Sequence, residues 1–522
     1  MTQLLTWSIS RRLSCKKIGE QTKIGLRSFA QSSNFTDNYA DLPGEWAKVR
    51  SICIETFEGD VRTSSNKWPC YRNALRIAAA AMAFAVAGCA STNRASLPPL
   101  DTSAASFDHA TERALAEDAA KLTPAWLAPR TVDLTRPLEP EDIALIAVIA
   151  NPDLRAQRKQ AQVADAQVFA AGLLPDPTFS FGIDFVLSGP VTTLANALAG
   201  SISQDLAGIR TRAATLRQAE AQARQVRLDL AWAEWQTAGQ ARLLALQIVA
   251  AEQQMALLRD ISQVSHSLFE RTRRAAGRGD IGGDQLQASR LAELDASTQL
   301  LAAELALVQA RQDLVKLLGL PPATELQLQA GAAPSVNLAC EGLAGLANDR
   351  TDIAALREGY AAQDAAVRLA KMSAFPAPGL TINASRNESG NRFAGPAVSL
   401  TLPLWNRGRG TIAIAEATGA ALQAQYDARL FQARADIATL CAVHLAAAGQ
   451  MTAMRLEMPG IESYAVATTR AARRGDIAQA VSDNAMLTLW SKQLQLAQLE
   501  QAQRERLVGL EMATGQKAEA WK

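Results

Sequence analysis

Residues 275–281 read AAGRGDI, and residues 471–477 read AARRGDI. Nearly the same seven letters recur 196 residues later, counted from Arg278 to Arg474. Each copy holds Arg-Gly-Asp, a cell-adhesion tripeptide, but a three-residue match is weak evidence of adhesion. A duplication accounts for both copies at once. Other landmarks share the offset. The run from Asn151 to Arg158 (NPDLRAQR) matches Arg350 to Arg357 (RTDIAALR), with Arg158 and Arg357 199 apart. Leu174-Pro175 and Phe375-Pro376 lie 201 apart, and Leu318-Gly319 and Thr514-Gly515 lie 196 apart. Four ordered landmarks with so little drift predict a tandem duplication of about 200 residues, a period too long for a solenoid.

Each half then reads in the same order. A helical segment, 152–173 or 351–374, ends at a proline, which removes a donor and restricts the residue before it. A strand follows. In TFSFGIDFVL, residues 178–187, Phe179, Phe181, Ile183, Phe185 and Leu187 alternate with Thr178, Ser180, Gly182, Asp184 and Val186, the period of a strand with one apolar face. In the second half Leu380, Ile382 and Ala384 alternate with Thr381, Asn383 and Ser385. Return strands are expected over 198–206 and around Val398, Leu400, Leu402 and Leu404. Long helices come next: 211–276 and 285–318, then 411–473 and 478–508, with a break at Met458-Pro459-Gly460. Between them stand the two opening heptapeptides. Gly279 and Gly475 give the backbone freedom a helix reversal needs, and Asp280 and Asp476 are placed to cap the following helix. The fold class expected is mainly α with a small β part.

The 522 residues carry 53 basic and 51 acidic side chains, a net charge of +2, which gives no nucleic-acid-binding field. The three histidines, His109, His266 and His444, are isolated, and no histidine–cysteine pair has metal-ligand spacing. Four of six cysteines lie in the first 89 residues; Cys340 and Cys441 form no close-spaced framework, so no structural disulfide is expected between them. No constellation of serine, cysteine or carboxylate suggests an enzyme. Gly408-Arg-Gly410-Thr-Ile-Ala413 fits G-x-G-x-x-A, but no βαβ pattern follows, so a strand-to-helix turn is expected there rather than a dinucleotide cradle.

An apolar run from Ile77 to Ala87, preceded by Arg72 and Arg76, has the length of a signal-peptide core. No apolar run in 141–522 reaches the length of a transmembrane helix, so a chain that enters a membrane must use strands, and strands cross lipid only in closed barrels. Four candidate strands are too few for a barrel; three chains give twelve. Heptad-like apolar stripes on the long helices ask equally for neighbours.

The ordered motifs NPDLRAQR, GLLPDPTFSFG, AAGRGDI, DLVKLLGLPP, AFPAPGLTI, VSLTLPLWNRGRG, MPGIES and AARRGDI over about 141–516 resemble the TolC-type outer-membrane efflux proteins. Val86-Ala87-Gly88-Cys89 resembles a bacterial lipobox, and Ala90 after the cysteine implies outer-membrane sorting. The resemblance implies a homotrimer with a twelve-stranded β-barrel in the cell outer membrane and an α-barrel in the periplasm. It implies no cofactor beyond covalent lipid on Cys89, and as partners a periplasmic adaptor protein, an inner-membrane pump and outer-membrane lipid. Leu402-Pro403-Leu404-Trp405-Asn406-Arg407 is similar to the heavy-metal-exporter branch, where Phe is commoner than Trp405. The tips Arg278, Gly279, Asp280, Ile281 and Arg474, Gly475, Asp476, Ile477 are the implied periplasmic entrance and adaptor-docking site. Asp483 falls near a position where some relatives ring the gate with carboxylates; a second such position holds Ala480. A solvated aspartate on a helix face is the other reading of Asp483.

The organisation expected is an unexplained extension 1–66, a lipoprotein signal peptide 67–88, an anchored linker 89–140, a first repeat 141–320, a linker 321–349, a second repeat 350–516 and a tail 517–522. The function implied is an exit duct for small molecules or ions. A soluble coiled-coil scaffold and the duct of a protein secretion system are the alternatives; the first leaves TFSFGIDFVL and the lipobox unexplained, and the second shares the fold.

Overall fold

A computed structural model describes residues 136–185, 196–331 and 340–521, all in the unit Pro98–Lys522. Residues 1–66, the leader 67–88, Cys89 and most of the linker 89–140 lie outside the described residues.

The elements are α1 (Pro140–Ala150), α2 (Pro152–Gly172), β1 (Thr178–Asp184), β2 (Ala197–Asp205), α3 (Leu206–Gly277), α4 (Gly283–Leu318), α5 (Thr351–Ser373), β3 (Ala377–Arg386), β4 (Arg392–Thr401), α6 (Arg409–Arg474) and α7 (Gln479–Thr514). From α2 to α4 and from α5 to α7 the order is the same: short helix, two strands, two long helices. At 1.5 Å per residue the 72 residues of α3 extend roughly 110 Å.

The first helix of each half is tied to the last in the same way. Asn151 caps α2 by accepting from Leu154 N–H at 2.9 Å, while its amide donates to the Leu317 carbonyl at 2.7 Å. Arg350, at the N-cap of α5, donates to the Ala513 carbonyl at 2.9 Å. Leu317 and Ala513 each stand in the last turn of a long helix, where carbonyls lack helical partners. Gly319 and Gly515 then end those helices at φ 65° and 74°, the left-handed cap that glycine adopts without steric cost.

Helix α1 is an element the sequence pattern did not distinguish. Its run IALIAVIA has no polar face, so periodicity gives no signal, and it is buried on all sides. Ile143, Ile146 and Leu318 are fully enclosed with Ile248 and Leu314. Helix α3 is the spine, packing on α1, α2, α4, α5 and α7. At Gly239, Met512 of α7 comes so close that a Cβ would stand 2.3 Å from its Cγ.

Four expectations need correction. First, α6 is not broken at Met458-Pro459-Gly460 but runs through it. Pro459 and Arg455 are exposed, so water can satisfy the carbonyl that proline leaves unpaired. Second, the return strand of the second half is Arg392–Thr401, so Leu402 and Leu404 lie in the turn that follows it. Third, α6 does contain an 18-residue window apolar enough by composition to cross a bilayer. Alanines dilute its charge, and α6 packs lengthwise against α5 and α7. Fourth, Cys340 and Cys441 are disulfide-bonded, their Cα atoms 6.0 Å apart. Wide separation in sequence hid a close approach in space: the segment before α5 folds back onto α6, where Leu343 and Ala347 pack with Ala433, Ile437 and Leu510.

The bridge closes a loop of 101 residues. On the chain-entropy model such a loop is worth about 4.7 kcal/mol. Reducing agent, or Cys340→Ser with Cys441→Ser, is expected to lower the unfolding temperature of the purified chain by several degrees; equal melting with and without dithiothreitol would show that the bridge does not contribute.

Candidate functional site

The sheet runs β1-β2-β3-β4, antiparallel throughout and without a bulge. Register therefore assigns every residue to a face. One face carries Phe179, Phe181 and Ile183, then Leu198 and Ile202, then Leu380, Ile382 and Ala384, then Ala394, Val398 and Leu400. Of the large ones all but the half-buried Leu198 are exposed. The other face carries Thr178, Ser180 and Gly182, then Ala199, Ser201 and Ser203, then Thr381, Asn383 and Ser385, then Phe393, Gly395, Ala397 and Ser399. Apart from Phe393, exposed beside the β3–β4 turn, it is small and polar, with Ser180 and Ser201 hydroxyls 2.7 Å apart. A sheet with an uncovered apolar face and a polar opposite face suits a wall between lipid and a wet lumen. The strands have 7, 9, 10 and 10 residues, close to the 9–11 of a tilted spanning strand.

β1 and β4 are free edges among the described residues. The helical layer ends in the same way. α4 packs on α3 and leaves Leu291, Leu301, Leu305 and Val308 exposed, and α6 leaves Ile414, Phe431 and Leu456 exposed. Each is a long apolar stripe without a partner among the described residues.

At the turn from sheet to α6, Arg407 and Gly408 are both left-handed, at φ 50° and 67°. A left-handed non-glycine residue is uncommon. The turn projects Trp405, 88% exposed, beside exposed Leu402 and Leu404. A 66-residue helix follows, and the sheet is antiparallel, so the G-x-G-x-x-A match has no βαβ setting.

The two heptapeptides form the hairpin tips, and they are alike bond for bond. At the first, Asp280 N–H donates to Ala275 at 3.0 Å and Gly279 N–H to Ala276 at 3.0 Å. At the second, Asp476 N–H donates to Ala471 at 2.9 Å and Gly475 N–H to Ala472 at 3.0 Å. This double bond pattern reverses a helix end around a left-handed glycine, here at φ 78° and 81°. Asp280 and Asp476 do not cap the next helices. Arg278 Nε donates to Asp280 and Arg474 Nε to Asp476, each at 2.8 Å, so each carboxylate turns back to the arginine two residues earlier. Gly282 and Ala478 take the N-cap positions. Ile281 and Ile477 are half-buried.

Asp483 is not a solvated face residue. It is 8% exposed, paired with Arg271 of α3 and accepting from Gln479 at 3.0 Å. Ser482 beside it donates to Thr469 of α6 at 3.2 Å. Arg271 precedes the first tip by about two turns and Asp483 follows the second by the same, so the pair ties the two hairpins together near one end. The sequence signal for Arg271 was the cluster Glu270-Arg-Thr-Arg-Arg274, whose basic residues were not separable by pattern. Ala480 is exposed. Cys89 lies outside the described residues.

A second charged cluster sits at the start of α5. Arg350 donates to both oxygens of Asp352, at 2.9 and 2.8 Å, and Arg429 of α6 donates to it at 2.9 Å. Arg350 also stacks over Trp232 of α3, 4.4 Å from the ring centre. Burial alone would raise the Asp352 carboxyl; hydrogen bonds and charge from Arg350 and Arg429 outweigh it and hold the group below its ordinary value of 3.8. Asp229 is raised by burial and by the nearby Asp352 charge.

Residues 345–516 match the model of the outer membrane efflux protein family. The fold of the described residues is that of TolC-type outer-membrane channels. The outer membrane channel CmeC of Campylobacter jejuni is similar at TM-score 0.61 and 14% identity, covering 72% of this chain and 85% of that one. The outer membrane protein VceC of Vibrio cholerae gives 0.57 and 17%, covering 79% and 98%. The open MtrE channel of Neisseria gonorrhoeae gives 0.56 and 18%, covering 72% and 88%. No curated protein matches the chain in sequence.

The Asp352 shift fixes a pH dependence. A carboxyl lowered by folding contributes stability in full above its unfolded value and loses it as pH falls through the folded one. Asp352→Asn is expected to cost about 3 kcal/mol at neutral pH by leaving Arg350 buried without its anion. The gap between variant and wild-type unfolding temperatures should narrow as pH falls below 3.8. A gap constant down to the most acid pH tested would remove the linkage.

Proposed function

We propose that the chain is the outer-membrane exit duct of a tripartite efflux system, passing small molecules or ions outward from a periplasmic pump. The observation that carries this is the continuity of one open strip. A four-stranded sheet with one lipid-compatible face passes directly into two long helical hairpins, and strand and helix layers are both left unpaired at both edges. Three copies joined edge to edge close twelve strands and a helical tube together, pairing every edge group that lipid cannot hydrogen-bond.

Cys89 carries the lipid that anchors the mature chain, a reading that rests on the lipobox and its apolar leader. The twin tips are the docking site for a periplasmic adaptor, with inner-membrane pump behind it. Their support is matching geometry, exposure and placement at the ends of the longest elements. The Arg271–Asp483 pair serves as a closed-state latch near that entrance: the half-exposed Arg271 neutralises the buried Asp483 carboxylate and holds one hairpin to the other, and parting them exposes a charge at the mouth.

Full chain reconstituted in a planar bilayer is expected to give discrete conductance, and its deletion to sensitise the host to at least one exported solute. A protein that is soluble, monomeric and silent in bilayers would overturn the duct reading in favour of a scaffold. Within an active duct, Asp483→Asn and Arg271→Gln are each expected to raise the open fraction severalfold, since either removes the tie between hairpins and loss of Arg271 leaves the buried Asp483 carboxylate uncompensated. The exchange Arg271→Asp with Asp483→Arg should restore closure. Unchanged gating in all three would dismiss the latch.

A further inference from the structure

The apolar face of the sheet ends in two cations. Arg386, last residue of β3, and Arg392, first of β4, are direct register partners. Both lie on the face of Ile382 and Val398, not on the serine-rich face. Both are exposed. On its other side Arg386 faces Leu198 of β2. One step inward on both strands stand Ala384 and Ala394, which leave the surface low beneath the guanidinium groups.

Like charges directly opposed across a sheet destabilise it. Neither arginine has an ion pair or side-chain hydrogen bond among the described residues, Glu388 of the turn between them included. The turn between them is nonetheless well fixed. Asn391 N–H donates to the Asn387 side chain at 2.8 Å, Asn387 N–H to the Asn391 carbonyl at 3.0 Å, and Gly390 sits at φ 83°. Arg386 Nη2 lies 3.7 Å from the Cβ position of Gly390, against the turn and at the rim. A rigid turn thus presents two unneutralised guanidinium groups side by side above ten-residue strands, which is the span of a hydrocarbon core.

We infer that Arg386 and Arg392 form a binding site for the phosphate of an outer-leaflet lipid headgroup, whose acyl chain lies along Ala384, Ala394 and Ile382. Guanidinium is suited to two parallel bonds to phosphate oxygens. A shared anion turns the repulsion between strands into a bridge. The occupant is a membrane lipid rather than free phosphate because the pair stands on the lipid-facing side, continuous with apolar surface. The site rests on the membrane placement of the sheet proposed above.

The test uses the full chain in neutral detergent, with diphosphorylated lipid A, phosphatidylcholine and inorganic phosphate as probes. Lipid A is expected to bind and to raise the unfolding temperature, and phosphatidylcholine to do so weakly. Arg386→Gln with Arg392→Gln should weaken lipid A binding about thirtyfold, given the usual contribution of each basic side chain near an anionic surface. If that double variant does not assemble, either single change should lose about fivefold. Arg386→Lys with Arg392→Lys should retain more binding than the Gln pair. Lipid A binding equal in wild type and Gln variants overturns the site, as does full competition by inorganic phosphate at equal concentration. A chain that conducts in bilayers yet shows no preference for lipid A overturns the site alone; one that never enters bilayers overturns the membrane placement as well.

Discussion

Lipid offers no hydrogen bonds to a strand edge. Four strands therefore cannot span a membrane alone, however apolar one face is. Much of this chain follows from that constraint. Its sheet is cut off at β1 and β4, and its helical layer at α4 and α6. Because strands lead into helices without a break, one association of copies can close both layers. In the assembly proposed above, the exposed leucines of α4 and the exposed Phe431 of α6 find their neighbours.

Within the chain, rigidity comes from a few long-range ties. Asn151 and Arg350 stand at matching places and perform matching tasks, yet share no chemistry beyond an N–H that reaches a helix-end carbonyl. Asn151 does this while capping its own helix. Arg350 adds a bidentate bond to Asp352 and an indole to lie on. The second half has thus built a buried ionic cluster where the first is content with an amide. That cluster draws in Arg429 and so connects α5, α6, α7 and α3.

The fold was legible where its signals were local. Alternation marked β1 and β3, the lack of proline marked α3 and α4, and the repeated heptapeptide marked both tips. What stayed hidden depended on space. The all-apolar α1 has no period to read. Pro459 looks like a stop unless its solvent exposure is known. Asp280 and Asp476 have the right spacing to cap, but an arginine two residues back is nearer once the glycine turns the chain. Asp483 was singled out by family resemblance, and its partner Arg271 lies over two hundred residues away, beyond any local pattern. The same holds for Arg386 and Arg392, which become a pair only when strand register is known.

The bond between Cys340 and Cys441 has a consequence for the order of events in the cell. Bacterial cytoplasm keeps thiols reduced, so on the outer-membrane placement proposed above the segment ahead of α5 cannot be fastened to α6 at the site of synthesis. The second half leaves the ribosome without its fastening. It becomes a closed loop only after crossing into an oxidising compartment. Export thus precedes closure, and the chemistry of the destination supplies the last stitch.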